Sequence, residues 1–294
     1  MITKKEVNSE IDYLGALRSI LESYEEIAAS RMARIRNAVL KSRDFLFEIN
    51  TIFQQVKSSY REEVGLLMKR KKIKNPKELT FLNRNGKTLY VLISANTGLY
   101  GNIVRRTYSL FIETLKNDKV QDAAIIGKLG SSFFEAEKMD INPSYFDLPD
   151  DRIDKEKLKK IVEHIIQYQK VLVFYERFNN VVNQEPIITN ISGDPLSHDK
   201  GGEAQAIHTV KYFFEPTLEK IMAFFEKEIV ASIFEQTVFE SELAKFASRM
   251  VALDASSENT KARLKQVLFQ KERLKHQKNN KEQIEKFSTM NLWK

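Results

Sequence analysis

Two glycines that follow an apolar run resemble the start of a phosphate-binding loop. Residues 88–102 read TLYVLISANTGLYGN, with Gly98 and Gly101 three residues apart. A strand, a glycine loop and then a helix can direct backbone amides at a phosphate. However, the dinucleotide fingerprint requires a third glycine and the P-loop ends in Gly-Lys-Ser/Thr, and neither is present. The spacing leaves a nucleotide site and a structural turn as alternatives.

Other residue types that perform chemistry are present without a catalytic pattern. No serine has the context of a nucleophile elbow. The pair Asp150–Asp151 follows Pro149, where capping of the next helix accounts for it. The chain has no cysteine, which excludes disulfides and thiolate metal sites. The histidines lack metal-ligand spacing; they are His164, His198, His208 and His276. We therefore expect neither an active site nor a bound metal in this chain.

The two ends of the chain have the pattern of very long helices. Residues 1–64 contain no proline and one glycine, and apolar side chains recur every three or four positions from Val7 to Val56. This period predicts a helix over about residues 4–57. After Pro216, which suits a first helical turn, 78 residues contain neither glycine nor proline. Two such helices can bury their apolar stripes against each other as an antiparallel coiled coil.

The end of the second helix changes character. Beyond Phe269 the apolar positions thin out to Leu274, Ile284 and Phe287, and charged residues take over. A helix that loses its apolar seam must find another partner or fray. The pattern favours a segment that is surrounded by another protein, and a frayed tail is the alternative.

The middle of the chain alternates between strand and helix patterns. Such alternation predicts a small, mostly parallel sheet covered by helices, in a Rossmann-like α/β domain. The predicted strands are 88–94, 122–126, 170–176 and 184–191, and the predicted helices are 103–116 and 153–168. The fold class is thus α/β with dominant helices, in three parts: an N-terminal coiled-coil helix at 1–60, a central domain at 80–206 and a C-terminal coiled-coil helix at 209–287.

Positive charge is concentrated near the two ends. The net charge is +7, and the basic residues cluster at 31–43 and at 261–286. Such stretches can follow a nucleic-acid backbone, face an acidic protein surface or face solvent. No run reaches the roughly 18 apolar residues of a membrane span, and the N-terminus lacks the apolar core of a secretory signal. We expect a cytoplasmic protein.

Five segments, taken in order, resemble the gamma subunit of F-type ATP synthases, which is the central rotor shaft. The similarity spans nearly the whole chain. Its segments are KEVNSEI…AASRM (5–32), SANTGLYGN (94–102), IGKLGSSFF (126–134), YFFEPTLEKI (212–221) and ASRMVALDASSEN (247–259).

The resemblance implies a shaft that binds no nucleotide, with ATP or ADP and magnesium held by partner subunits. Those partners would be three alpha-like and three beta-like subunits around the coil, and an epsilon-like subunit or another protein at the central domain. The complex would lie at the inner face of the cell membrane. The glycines implied as structural turns are Gly98, Gly101, Gly127 and Gly130. The residues implied as contacts to the head are Arg31, Arg34, Arg249, Asp254, Lys275, His276, Glu282 and Glu285.

Several positions depart from the family pattern. The Asp-Arg of the family's glycine turn is Asn96-Thr97 here, and residues 19–24 and 271–280 also differ. These departures favour a diverged F-type-like ATPase whose shaft turns a load other than ions, such as motility or transport machinery. The alternatives are an ordinary gamma subunit in proton- or sodium-driven synthesis, a basic coiled-coil nucleic-acid-binding protein, and a nucleotide-binding regulator that uses residues 94–102.

Overall fold

The computed structural model describes residues 3–59, 82, 84–118, 122–137, 139–150, 154–192 and 217–291. In chain order the elements are α1 (Lys4–Ser59), β1 (Thr88–Ile93), α2 (Ile103–Asp118), β2 (Asp122–Ile126), α3 (Lys128–Glu137), β3 (Ser144–Phe146), α4 (Lys155–Ile165), β4 (Lys170–Phe178), β5 (Gln184–Asn190) and α5 (Leu218–Asn291). His198, His208, Asp151, Pro216 and the predicted domain ends at 80, 206 and 209 lie outside the described residues.

Both predicted terminal helices are confirmed, and each begins at a residue that caps it. The Thr3 amide donates to Glu6 Oε2 at 2.7 Å and the Glu6 amide donates to Thr3 Oγ1 at 3.3 Å, so the two form a capping box. At α5, the amide of Lys220 donates to Thr217 Oγ1 at 3.4 Å. These side chains occupy amides that the first helical turn leaves unpaired.

The central sheet has five strands in the order β3-β2-β1-β4-β5. Strand β1 pairs in parallel with β2 and with β4, so Val91 lies between Ala124 and Val173. Strand β5 pairs antiparallel with β4 at one edge. The prediction of a small, mostly parallel sheet is confirmed.

Two features of the sheet differ from the sequence prediction. The three-residue strand β3 was not predicted. Residues 184–191 were predicted as a buried strand, whereas β5 is an edge strand along which Ile188 is 41% exposed. An edge position explains the apolar but exposed residues, and it also tolerates Pro186, which has no amide to donate.

Helices cover the two faces of the sheet. On one face, α2 packs its Phe111 ring edge-on against Phe174 of β4, with centroids 5.2 Å apart. Full burial of one such side chain stabilises the fold by about 1.5–3 kcal/mol. On the other face, α4 and the part of α5 that carries Phe234 pack against Val173 and its neighbours.

The chain forms two compact units, and each long helix contributes to both. Unit 1 comprises Met1–Ser30 and Arg249–Lys294, and unit 2 comprises Arg31–Ser248, including the sheet.

Within each unit the two long helices run antiparallel, because residues later in α1 lie beside residues earlier in α5. In unit 1, Arg263 donates to Glu10 at 2.7 Å, and Arg18 lies near Glu258. In unit 2, the Arg31 guanidinium lies over the Phe246 ring, and the rings of Phe53 and Phe225 are 6.2 Å apart. The buried seam of unit 1 includes a cluster of Val7, Leu14 and Val267, with Ile11, Leu264 and Leu274 packed against it.

Candidate partner-binding surface

The glycine loop that follows β1 holds an anion, and that anion is a side chain of this protein. The Asp150 carboxylate accepts hydrogen bonds from the amides of Asn96 (2.9 Å) and Thr97 (2.8 Å). The hydroxyls of Thr97 (2.8 Å) and Tyr100 (3.2 Å) donate to it as well. Asp150 is only 9% exposed. The expected capping role of Asp150 is therefore wrong; Asp154 caps α4 and accepts from the Glu156 amide.

The amides at the start of α3 are also occupied by groups of the protein. Lys128 N–H donates to Asn96 Oδ1 and Leu129 N–H donates to Ala95 O, both at 2.9 Å. An open groove of about 360 Å³ lies beside this turn, lined by Gly127, Lys128, Tyr145 and Asp147 among others. Because the donors that would hold a phosphate are already bonded, the geometry favours a structural turn over a nucleotide site.

The four glycines singled out from the sequence have different environments. Gly127 has φ +100°, and a Cβ there would lie 2.9 Å from the backbone of Ala95. Gly130 lies inside α3, where a Cβ would be 2.8 Å from Ser94 Cβ. Gly101 has φ +58°, while an added Cβ at Gly98 would meet nothing within 4 Å. The turn thus requires glycine at residue 127 because of its positive φ and the nearby backbone. At residue 130 it leaves no room for a side chain next to Ser94.

The residues expected to contact a surrounding head lie in both units. In unit 2, Arg31 is half-buried with its guanidinium 5.7 Å from the centroid of the Phe246 ring, and Arg34 is exposed. In unit 1, Arg249 is half-buried and Asp254 is exposed. The structure does not bring these four into a single cluster within either unit.

The charged residues near the end of α5 are all exposed and pair along the helix. Every residue from 275 to 288 is exposed, which includes His276. Lys275 lies 3.9 Å from Glu272, Glu282 lies 3.6 Å from Lys278, and Glu285 lies 4.0 Å from Lys281. Exposed pairs of this kind contribute about 0.2–1 kcal/mol, so they can exchange partners at little cost.

Helix α1 carries an exposed apolar stripe that the sequence prediction did not include. Within unit 1 it consists of Tyr13, Ile20, Tyr24 and Ile27, which are 46–66% exposed. Tyr24 is one of the apolar residues that recur between Val7 and Val56, and the prediction that it lies on the buried stripe is wrong. The signal that could have found the exposed stripe is the recurrence of large apolar residues at 13, 20 and 27, which seven-residue steps place on one helix face. Such a stripe is typical of a surface that meets another protein.

Helix α5 also exposes large apolar side chains in unit 1. Phe269 is 71% exposed and Phe287 is 69% exposed. Their separation of about five full turns at 3.6 residues per turn puts them on the same face of the helix. Together with the stripe on α1, they give unit 1 more apolar surface than its own helix pairing covers.

Two features are absent from the described ranges. They contain no cluster of three or more histidine and acidic residues that could hold a metal ion. In the same ranges, no helix has a long enough apolar window to span a bilayer.

Comparisons of sequence and structure agree with one another. A family model described as ATP synthase matches residues 3–286. The ATP synthase gamma chain of Halothermothrix orenii is 25% identical over 272 residues, covering 88% of each chain. The gamma chain of Mycoplasma mycoides subsp. mycoides is also 25% identical, covering 87% of this chain and 86% of that one.

Solved structures share the fold. The central stalk/c-ring structure of Tetrahymena thermophila mitochondrial ATP synthase contains a chain that superposes with a TM-score of 0.54 at 18% identity, covering 81% of this chain and 99% of that one. A chain in the OSCP/F1/c-ring structure of the Euglena gracilis enzyme superposes with a TM-score of 0.50 at 14% identity, covering 90% and 94%.

Proposed function

This chain belongs to the ATP synthase gamma family, and on that premise we propose that it is the shaft around which three alpha-like and three beta-like subunits hydrolyse or synthesise ATP. Gamma subunits are non-catalytic members of the complex, and nucleotide and magnesium are held by partner subunits. The chain is thus a central-stalk subunit of a rotary ATPase. The proposal extends to its partners, its contacts and its load.

The observation that carries the proposal is the surplus of exposed apolar surface on unit 1. Tyr13 and Ile20 of α1 and Phe269 of α5 are more than half exposed, although both helices already bury a seam against each other. A sleeve of surrounding subunits would remove these side chains from water, at roughly 25 cal/mol for each Å² of apolar surface. The proposed head therefore encloses unit 1.

The charged residues of the shaft would make the unequal contacts that rotation requires. We assign the contact role to Arg31, Arg34, Arg249, Asp254, Lys275, His276, Glu282 and Glu285. A rotating shaft biases a surrounding subunit only if its faces interact differently with that subunit's conformations. An epsilon-like subunit or another protein would bind the sheet-containing part of unit 2, with the complex at the cytoplasmic face of the cell membrane.

Two kinds of load suit this shaft. The departures from the family pattern at 19–24 and 271–280 favour a diverged complex that turns motility or transport machinery. Family membership over residues 3–286 equally suits an ordinary gamma subunit turned by a proton- or sodium-driven ring. The subunits that accompany the chain distinguish the two.

The test is native mass spectrometry of complexes isolated through a tag on this chain in its own cell. We expect three copies each of two nucleotide-binding subunits per copy of this chain. A copurifying ring of membrane subunits would identify an ion load, and other subunits would identify a different one. Arrival of the chain alone, or with nucleic acid that dissociates steeply with salt, would overturn the shaft function. ATP hydrolysis by the purified chain alone would overturn it too.

A further inference from the structure

Helix α5 is joined to the sheet of unit 2 by a buried polar connection. Lys245 is 3% exposed and donates to the carbonyl oxygen of Ser94, which follows β1, at 2.7 Å. One helical turn earlier, Ser241 Oγ donates to Glu176 Oε2 of β4 at 2.5 Å, and both residues are fully buried. Burial raises the pKa of the Glu176 carboxyl, and the nearby charge of Lys245 opposes that rise. We call these four residues the Lys245 connection.

A second polar connection joins α5 to the other end of the same strands. Arg84 donates to Glu226 Oε1 of α5 at 2.7 Å, with side chains only 6% and 15% exposed. The same guanidinium donates to the carbonyl oxygens of Gln169, before β4, and Ser192, after β5. We call these four residues the Arg84 connection. It ties one carboxylate of α5 to the segments that flank two strands.

The two connections are separated both along and around α5. Lys245 comes nineteen positions after Glu226, which corresponds to about 28 Å along the helix axis and about 100° around it. Between them, Val230, Phe234 and Val238 pack on the sheet. Apolar packing resists separation but is non-directional. The buried polar groups have fixed partners, so turning or sliding of α5 would leave buried donors and acceptors without hydrogen bonds.

We propose that the Lys245 and Arg84 connections lock α5 against rotation relative to the sheet and thereby transmit torque between α5 and whatever the sheet-containing part of unit 2 turns. The proposal rests on the proposed shaft function. Residues that act in this way touch neither nucleotide nor substrate; they position α5. Buried polar and ionisable groups on a helix that already has an apolar face cost solvation without adding apolar burial, and a mechanical role accounts for their presence.

The first test removes both ionisable groups of the Lys245 connection in the assembled complex. The double variant Lys245→Met with Glu176→Gln leaves no buried charge unpaired. With the head fixed to a surface and a magnetic bead on the sheet-containing part of unit 2, we expect the unloaded ATPase rate to be unchanged. The torque at which rotation stalls should fall, because one of the two connections is lost. The matched control is Lys116→Met, which removes an exposed pair with Glu137 in the same unit and should leave both quantities unchanged.

The second test replaces the connection with a covalent bond. Glu176→Cys with Ser241→Cys introduces the only two cysteines of the chain. The oxidised complex should stall at the wild-type torque, and the reduced complex at the lower one. A purely structural role predicts equal torque in both states once the complex has assembled.

The outcomes separate the two proposals. A wild-type complex that hydrolyses ATP without turning the bead overturns the shaft function, and the torque proposal with it. If the wild-type complex turns the bead and the double variant Lys245→Met with Glu176→Gln stalls at the same torque, the torque proposal alone is overturned. If that variant fails to assemble, the cysteine pair decides, and equal torque in its oxidised and reduced forms overturns the lock.

Discussion

The Asp150 carboxylate lies 2.8 Å from the Thr97 amide, and it accepts hydrogen bonds from backbone amides as a phosphate does in a nucleotide-binding loop. The loop after β1 is thus an anion-binding turn whose anion is supplied by the same chain. Because the chain supplies its own anion, residues 94–102 resemble a phosphate-binding loop and still lack the other residues of that motif.

Replacing Asp150 with Asn should loosen this turn. The variant loses the charged group to which four donors of the loop form hydrogen bonds. Each hydrogen bond to a charged group contributes about 1.5–3 kcal/mol when the donors remain buried. We expect the free energy of unfolding in urea to fall by about 2–3 kcal/mol. The exposed Asp140→Asn is the control and should change it by less than about 0.5 kcal/mol. Equal stability of the two variants would contradict the role of Asp150.

Gly127→Ala should be destabilising, and Gly98→Ala should be nearly neutral. A Cβ at residue 127 combines φ +100° with a 2.9 Å approach to backbone, whereas the site at residue 98 is open. We expect a loss of about 1–3 kcal/mol in unfolding free energy for the first variant. Thermal and urea unfolding of the pair measure the difference. If Gly127→Ala leaves the free energy of unfolding unchanged, the turn can move away from Ala95.

His164 should make stability depend on pH. Burial lowers the pKa of this imidazole, against a smaller opposing effect of the Asp122 carboxylate. The unfolded chain therefore binds a proton more readily, so stability is fully present above the ordinary histidine pKa and is lost as pH falls through the lower folded value. Relative to His164→Gln, the wild type should lose unfolding free energy as the pH falls below about 7. The exposed His276→Gln is the control, and it should retain the wild-type pH slope.

Substitutions in the exposed α1 stripe should separate assembly from folding. Ile20→Ser removes an apolar side chain that is 53% exposed, so the isolated chain should unfold within about 0.5 kcal/mol of the wild type. Binding to the head should weaken about tenfold if that side chain is buried there. Leu14 lies on the buried face of the same helix and is 7% exposed. Leu14→Ala should instead lower the free energy of unfolding by about 2–5 kcal/mol. Head binding that is unaffected by Ile20→Ser would exclude the stripe from the interface.

Charge reversal near the end of α5 should change the behaviour of the complex. Lys275 is 65% exposed and paired weakly within its helix, so Lys275→Glu should leave the chain folded. In the assembled complex we expect an altered ATPase rate or an altered ratio of rotation to hydrolysis. Arg249→Gln tests the other contact, with Lys116→Glu as the control outside the long helices. An unchanged rate and ratio for both would remove these residues from the assigned contacts.

The parts of the fold that could be predicted are those with a strong local pattern. Helices α1 and α5 have apolar repeats and lack internal breakers, and β1, β2 and β4 are continuous apolar runs buried on both faces. Strand β3 could not be found because SYF stands between Pro143 and Pro149, and three residues carry no measurable period. Strand β5 was predicted with the wrong burial, since sequence cannot tell an edge strand from a central one.

The polar connections could not be predicted, because their partners are distant in sequence. Ser241 and Glu176 are separated by 65 positions, and Lys245 and Ser94 by 151. Lys245 and Glu176 also belong to residue types that are mostly exposed, so their own sequence contexts gave no sign of burial. The local context of Asp150 predicts a cap, because turn chemistry explains an acidic residue there without reference to the loop it binds.

The occupied glycine loop limits how this protein can respond to the state of its cell. Asp150 is tethered to the chain, so its effective concentration at the loop far exceeds that of any dissolved phosphate compound. Free ATP, ADP or phosphate would have to displace it to be sensed there. This loop therefore does not sense the energy charge of the cell, and regulation by starvation or abundance cannot act through it.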